Sequence, residues 1–419
     1  MNPALGSLPA EEATPADAAG RLRVLVLDEY FPYPPDSGKP IRTWNLLRRL
    51  AARHDITFLC HGHPSPEQLK AAHDAGIRVE SVEAIPADSG ATLYVKLLLN
   101  LLSPYPYSVA KHYTARFRTK LRELLSRERF DLLHCEWTPY ARYLSGADVP
   151  TLVATHNIES QVWARRAERS PNPLAKLFFR MQAAKMERFE RHALASASAV
   201  TGVSAADAAQ ATAWGVRHAR VVDNGVDLEY FSPQGDGDGS RAVFVGALEW
   251  FPNVDAVQYF VEAILPHLTL LVPQLQTKII GRKAPDSLKR FLHGRTEIDF
   301  AGEVPDTRPH LAEAGIVIVP LRIGGGSRLK ILEALAMGKA VVSTTIGAEG
   351  LAVTHGKDIM LADSPEDFAQ AMADLSASAE LRKKLGTEGR ALVERNYGWE
   401  ALSRKAEAVW VEMVREGAK

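Results

Sequence analysis

The chain has 419 residues, 46% apolar and 24% charged, and its 50 basic and 50 acidic side chains give a formal charge of zero. That length exceeds what one hydrophobic core normally serves, so two domains are expected. The composition is that of an ordinary soluble globular protein, with no basic excess that would speak for nucleic acid as a partner. Residues 1–200 hold 26 basic against 21 acidic side chains and the remainder 24 against 29, which fits an N-terminal half facing an anionic acceptor or membrane surface, though an imbalance this small is often incidental.

Met1–Gly20 is rich in Ala, Glu and Pro, without a basic start or an apolar stretch, and reads as a disordered leader rather than a signal peptide. Leu22–Asp28 then has the pattern of a buried strand, and a loop through Pro32–Pro35 and Gly38 leads into a helix ending near Arg53. Further strands are expected at Ile56–Cys60, Val79–Val82, Leu132–Cys135, Leu152–Thr155 and Ala199–Val203, with helices between them. This alternation predicts a parallel sheet covered on both faces. The longest apolar run, Leu93–Leu102, contains Lys96 and Asn100 and is too short to span a bilayer. Cys60 and Cys135 lie in apolar strand-like runs and read as buried free thiols of a reducing cytoplasm.

The pattern breaks at Asn224–Ser240, whose DGDGS run reads as a flexible interdomain connection. Strands resume at Val243–Gly246, Thr277–Gly281, Ile298–Ala301, Ile316–Pro320, Ala340–Thr344 and Ile359–Leu361. An amphipathic helix, about Trp399–Arg415, ends the chain. The expected domains are therefore residues 21–223 and 241–397, two doubly wound Rossmann-like units joined by a linker at 224–240 and followed by a final helix at 398–419.

The stretch Ile316–Thr345, IVIVPLRIGGGSRLKILEALAMGKAVVSTT, is a complete strand–turn–helix–strand unit. A glycine-rich turn opening a helix presents unpaired backbone N–H groups and the positive end of the helix dipole, which together make an anion site. Arg328 and Lys330 place two cations in the first turn, where they oppose the dipole unless an anion compensates them. Glu333, one turn on, is placed to accept hydrogen bonds from sugar hydroxyls. Gly324, Gly325, Gly326, Ser327, Arg328, Lys330 and Glu333 together suggest a nucleotide-sugar diphosphate with its ribose.

This run resembles the C-terminal nucleotide-binding signature of GT-B glycosyltransferases of the retaining family-four type. The resemblance covers nearly the whole chain after residue 21. It implies two Rossmann-like domains facing a cleft, a final helix crossing back onto the N-terminal domain, Glu333 on the nucleotide ribose, and the turn with its basic neighbours on the diphosphate. Two departures stand out: the family often has a Glu where this chain has Gly325, and the loop GALEWFPN at Gly246–Asn253 lacks the family's basic pair.

Ligands in open parallel sheets bind beyond the carboxyl ends of the strands. Gly38 follows the first strand, and the resemblance places its loop against the donor phosphate and acceptor; Arg42 lies one turn further. His156 follows the strand ending at Thr155, and the family has a similarly placed His near the donor sugar. Glu136 ends the DLLHCEW strand, where it would orient the acceptor, act as base, or serve only as a structural carboxylate. Arg282 and Lys283 follow the KIIG strand and would approach base or phosphates, or else form a solvated loop. No metal-ligand spacing is present and no cofactor is expected beyond the nucleotide-sugar substrate.

The expectation is a glycosyltransferase of bacterial polysaccharide synthesis that acts with retention on a glycan or lipid-linked acceptor. It would work in the cytoplasm, with peripheral contact at the inner membrane. The apolar Leu93–Leu102 before the aromatic SPYPYS, the basic Lys111–Arg129 and the mixed basic and apolar Pro173–Arg191 fit such contact, and fit ordinary amphipathic helices packed on a sheet as well. The rivals are a nucleotide-sugar epimerase on the same fold and a non-catalytic nucleotide-sugar-binding scaffold.

Overall fold

The computed structural model describes residues 20–36, 38–323 and 328–417. Contacts divide the chain into two compact units, one running to Val222 and resuming at Ser403, the other comprising Asp223–Leu402. Among the described residues each unit contains one parallel sheet flanked by helices.

The first sheet has seven strands: β1 (Arg23–Leu27), β2 (Asp55–His61), β3 (Ile77–Val82), β4 (Leu132–Cys135), β5 (Thr151–Ala154), β6 (Ala199–Gly202) and β7 (Ala219–Val221). Their order is β3-β2-β1-β4-β5-β6-β7. The chain winds outward from β1 to β3 and returns to place β4 beside β1, so the winding reverses between β1 and β4. A crevice opens at the carboxyl ends there. RVLVL and LLHC are apolar on both faces because helices cover both sides of the sheet. The core joins Leu25, Leu27, Leu133, Val153 and Val200 to Phe117, Tyr140 and Met186 from the covering elements.

The second sheet has six strands: β8 (Asp238–Val245), β9 (Gln276–Ile280), β10 (Ile298–Gly302), β11 (Ala314–Val319), β12 (Ala340–Ser343) and β13 (Met360–Leu361). The order β10-β9-β8-β11-β12-β13 puts its reversal between β8 and β11. Every residue of AGIVIV in β11 is buried, and its core runs through Phe244, Ile316, Val317, Ile318, Leu332 and Leu335.

Two features depart from the sequence reading. A short seventh strand, β7, pairs with β6 through Ala219–Val221, within a stretch not recognised as a strand. The glycine-rich DGDGS run is also partly sheet, since β8 begins at Asp238. Gly237 has φ +71°, and a Cβ there would lie 2.1 Å from the Ala314 carbonyl oxygen; a Cβ on Gly315 would lie 2.6 Å from that of Asp238. Close backbone approach, rather than linker flexibility, requires the glycine.

The final helix is Trp399–Gly417. Its first turn belongs to the second unit and the rest, from Ser403, packs with the first. There Glu407 receives Arg53 at 2.8 Å and lies 2.9 Å from His54, and Trp410 is fully buried. Cys60 and Cys135 are buried free thiols. Among the described residues no helix is long and apolar enough to cross a membrane.

Candidate active site

In the second unit the helix Leu329–Ala336 starts beyond the carboxyl end of β11. Lys330 donates to Asn253 Oδ1 at 2.6 Å, and its ammonium lies 4.6 Å from the ring centroid of Phe244. A Cβ on Gly246, just after β8, would stand 3.0 Å from both Lys330 Nζ and the Asn253 side chain. The loop after β8 therefore needs glycine for lysine and asparagine to meet beside it. Loss of solvation pushes the Lys330 ammonium down to about 7, against a smaller opposing effect of Glu333. Glu333 is pushed up to about 7, again by loss of solvation, with Lys330 acting the other way. A lysine and a carboxylate on one helical face, both at the edge of neutrality, are the marks of a site built for a further charged or hydroxylated group.

The turn Gly324–Ser327 lies outside the described residues. Arg328, at its end, has left-handed backbone (φ 51°), as does Lys283 in the loop after β9 (φ 51°). These are the non-glycine residues with positive φ among those described, and both stand beyond strand ends where ligands bind in such sheets. The Arg328 guanidinium is buried and already engaged: it donates to the Glu349 carbonyl at 3.2 Å and pairs with the Glu349 carboxylate at 3.1 Å. Arg282 pairs with Glu249 at 3.3 Å. Of the cations expected to meet an anion, Lys330 has only neutral Asn253 as its hydrogen-bond partner among the described residues.

In the first unit the crevice between β1 and β4 holds a dense polar cluster. Asp28, one residue past β1, is buried and accepts from Lys39 on the helix Gly38–Ala51. Burial raises the Asp28 carboxyl even against the attraction of Lys39. Glu136, one residue past β4, is also buried. Its Oε2 accepts from Thr43 Oγ1 at 3.0 Å and from His156 Nε2 at 3.3 Å, while Oε1 lies 3.1 Å from His134 Nε2. Burial alone would raise the Glu136 carboxyl, but His134 and His156 outweigh it and hold it well below the usual range. Oε2 accepts two hydrogen bonds and Oε1 faces the His134 ring, whose Nε2 makes no hydrogen bond, so Glu136 suits a fixed negative charge better than a proton-abstracting base.

Desolvation lowers the His156 imidazolium, with Glu136 acting against it. Trp410 donates its indole N–H to His134 Nδ1 at 3.1 Å. The His134 nitrogen facing Glu136 is then Nε2. Glu159 accepts from Trp137 Nε1 at 3.1 Å. Glu190, from the helix Pro173–Ala195, accepts from the Glu159 and Ser160 amides at 2.7 and 3.1 Å and so caps the helix Glu159–Arg169 from outside.

The structure thus brings His156 and Glu136 into contact, and buries Arg42 in the recess that Glu136 and His134 also line. Gly38 opens the helix that carries Lys39, Arg42 and Thr43. In the other unit Lys330 and Glu333 share a helical face, whereas Arg328 and Arg282 turn to Glu349 and Glu249. Sequence reasoning singled out neither Asp28 nor Thr43, His134 or Trp410. Asp28 carried the same signal as Glu136, a carboxylate just past a strand. Trp410 carried none, being 276 positions from the histidine it meets. Elsewhere, His218, Glu412 and Glu416 gather closely enough to hold a metal ion, but Arg220 already pairs with Glu412 at 2.5 Å.

Two Rossmann-like α/β units, the second with a lysine–glutamate helix at its switch point, define the class of GT-B glycosyltransferases. A family model described as "Glycosyl transferases group 1" matches residues 239–378, and one described as "Glycosyl transferase 4-like domain" matches residues 37–225. The chain belongs to the group 1 glycosyltransferases, a family of transferase enzymes. It is 28% identical over 229 residues to a D-inositol 3-phosphate glycosyltransferase of Kribbella flavida, covering 48% of this chain and 52% of that protein. It is 23% identical over 219 residues to spore coat protein SA of Bacillus subtilis, covering 46% and 58%. The chain spans about half the length of the curated relatives it matches. Among solved structures it is similar to sucrose-phosphate synthase of Thermosynechococcus elongatus (TM-score 0.68, 15% identity, 94% of this chain and 100% of that one). It is also similar to Anabaena HepE, solved with UDP and glucose (TM-score 0.61, 16% identity, 93% and 99%).

Proposed function

We propose that this chain transfers a sugar, with retention, from a nucleotide-diphosphate sugar to a glycan or lipid-linked acceptor in bacterial polysaccharide synthesis. The observation that carries the reading is Lys330. It is an ammonium at the start of a helix, in surroundings that push it down to about 7, and a diphosphate would restore its charge. Lys330 and the amides of the turn before it meet the departing diphosphate, so that catalysis is electrostatic and positional. Glu333 accepts from the ribose hydroxyls. In the first unit His156 serves the sugar and Glu136 supplies a fixed negative charge behind it. Arg328, held by Glu349, adds charge beside the turn. Support for the donor class comes also from the nucleotide named in the HepE structure.

The test is calorimetry of UDP-, GDP- and ADP-sugars on the wild-type protein and on Lys330→Ala. Selective binding by one nucleotide that weakens at least about tenfold in the variant is expected, the loss of a charge-assisted contact. No binding by any of them would return the non-catalytic scaffold to first place.

A further inference from the structure

The helix Gly90–Leu101 leaves much of its apolar surface exposed. Its polar Asn100 is buried, donating to the Tyr105 carbonyl at 3.1 Å and accepting from buried Gln182 at 2.9 Å. Tyr94, Val95 and Leu98 are each more than half exposed and Leu102 just beyond is 89% exposed, while Leu93 and Leu97 are half-buried. A helix packed on a core buries its apolar stripe, and single exposed leucines are common where a contiguous row of them is not. Lys185 ties this helix to the helix Pro173–Ala195 by donating to the Asn100 and Leu101 carbonyls at 2.7 and 3.1 Å. That second helix exposes Leu174 and Leu177 near its start.

Behind this helix lies a pocket of about 500 Å³, within the range of roughly 300–1,000 Å³ that ligand sites occupy. Ile85, Pro86, Leu99 and Ala110 give it apolar walls, and Lys96, Lys111 and Arg116 bring cations to it. Residues 90–116 hold these three cations and no carboxylate; Asp88 and Glu83, from the preceding loop, pair with them. The pocket adjoins the carboxyl end of the first sheet, because Thr114 on its wall lies 3.0 Å from His61 at the end of β2. The neighbouring helices add exposed Arg165, Arg166 and Arg180.

We propose that the helix Gly90–Leu101 lies in the interface of an anionic bilayer, and that the pocket behind it takes the hydrocarbon chain of a lipid-linked acceptor. The occupant follows from chemistry on both sides of the helix: leucines outward for acyl chains, cations around them for anionic headgroups, apolar walls behind for one more chain. At 12 residues the helix lies on a membrane and does not cross it. The proposal rests on the lipid-linked acceptor of the preceding reading and names where that acceptor's lipid is held.

The experiment floats the full chain with vesicles of phosphatidylcholine alone or with phosphatidylglycerol, comparing wild type with the paired variant Leu98→Asp, Leu102→Asp. Both positions are exposed, so the variant should fold. Expected is flotation that needs phosphatidylglycerol and falls about tenfold or more in the variant, with a blue-shifted emission for Tyr94→Trp on vesicles. Ala110→Trp, which fills the pocket, should leave flotation intact and weaken farnesyl phosphate binding about tenfold. Flotation unchanged in the paired variant, wild type that never floats, or a dimer dissolved by the same substitutions would each overturn the docking surface. Equal farnesyl phosphate binding by Ala110→Trp would overturn the pocket. Nucleotide-sugar binding measured alongside separates this from the donor reading, since its loss in wild type would sink that reading and leave the flotation result standing.

Discussion

If the Lys330 ammonium titrates at about 7 in the free protein, donor binding must take up protons. A group with that value is about one-tenth protonated at pH 8, and a diphosphate held against it restores the charge. Binding at pH 8 should therefore take up about 0.9 proton, and at pH 6 about 0.1 from this group. Affinity should weaken by up to about tenfold for each pH unit above 7, or about 1.4 kcal/mol. Glu333, pushed up to about 7, is mostly ionised at pH 8 and adds little there. A nucleotide sugar is the right ligand, since its diphosphate carries no further proton near neutrality. Calorimetry in buffers of different ionisation enthalpy reads the uptake directly. Lys330→Ala should abolish both the uptake at pH 8 and the slope of affinity. An affinity that stays flat from pH 7 to 9, or an uptake that survives in Lys330→Ala, would refute the reasoning.

Glu333→Ala should weaken nucleotide affinity about tenfold while leaving the melting temperature nearly unchanged, because the carboxylate is held against a desolvation cost; intact affinity would remove it from the ribose. Glu136→Gln should lower kcat by about a hundredfold with donor affinity unaltered, as it removes a charge that His134 and His156 face; unchanged turnover would make that carboxylate structural. Glu190→Ala orphans the Glu159 and Ser160 amides and should cost about 1–2 kcal/mol in urea unfolding. Burial pushes Glu190 up to about 7 from 4.5, so its folded state favours the protonated carboxyl. Its contribution to stability is complete below pH 4.5 and fades as pH rises through 7, and Glu190→Gln should gain on wild type from pH 5 to 8.

The parallel sheets were legible because buried strands such as VLVL and IVIV alternate with helical periodicity, and Glu136 and His156 were singled out by their places just past strand ends and Lys330 by the glycine-rich turn before its helix. What sequence could not supply was partnership. Arg328 and Lys330 look alike two residues apart, yet one turns to Glu349 and the other to Asn253, a difference set by loops 20 or more positions away. The edge strand β7 was missed because three residues of half-buried Ala-Arg-Val give too short a pattern. DGDGS was misread because composition does not distinguish a glycine needed for flexibility from one needed for close approach. Likewise an apolar run such as LYVKLLLNLL suggests a buried face, and only the structure shows that Asn100 is its buried residue while Tyr94, Val95 and Leu98 stay exposed.

The first unit is discontinuous in sequence: its last piece, from Ser403, follows the whole of Asp223–Leu402. Trp410, wholly buried against His134, is thus synthesised only after the whole of the second unit. Until it arrives, the recess formed by Leu46, Leu152 and Val222 lacks its cover, and the polar cluster around Glu136 has no indole to orient it. Synthesis itself would delay completion of that cluster until the second unit has been made, so a protein cut short after Leu402 should carry an intact second unit and a first that lacks its indole cover.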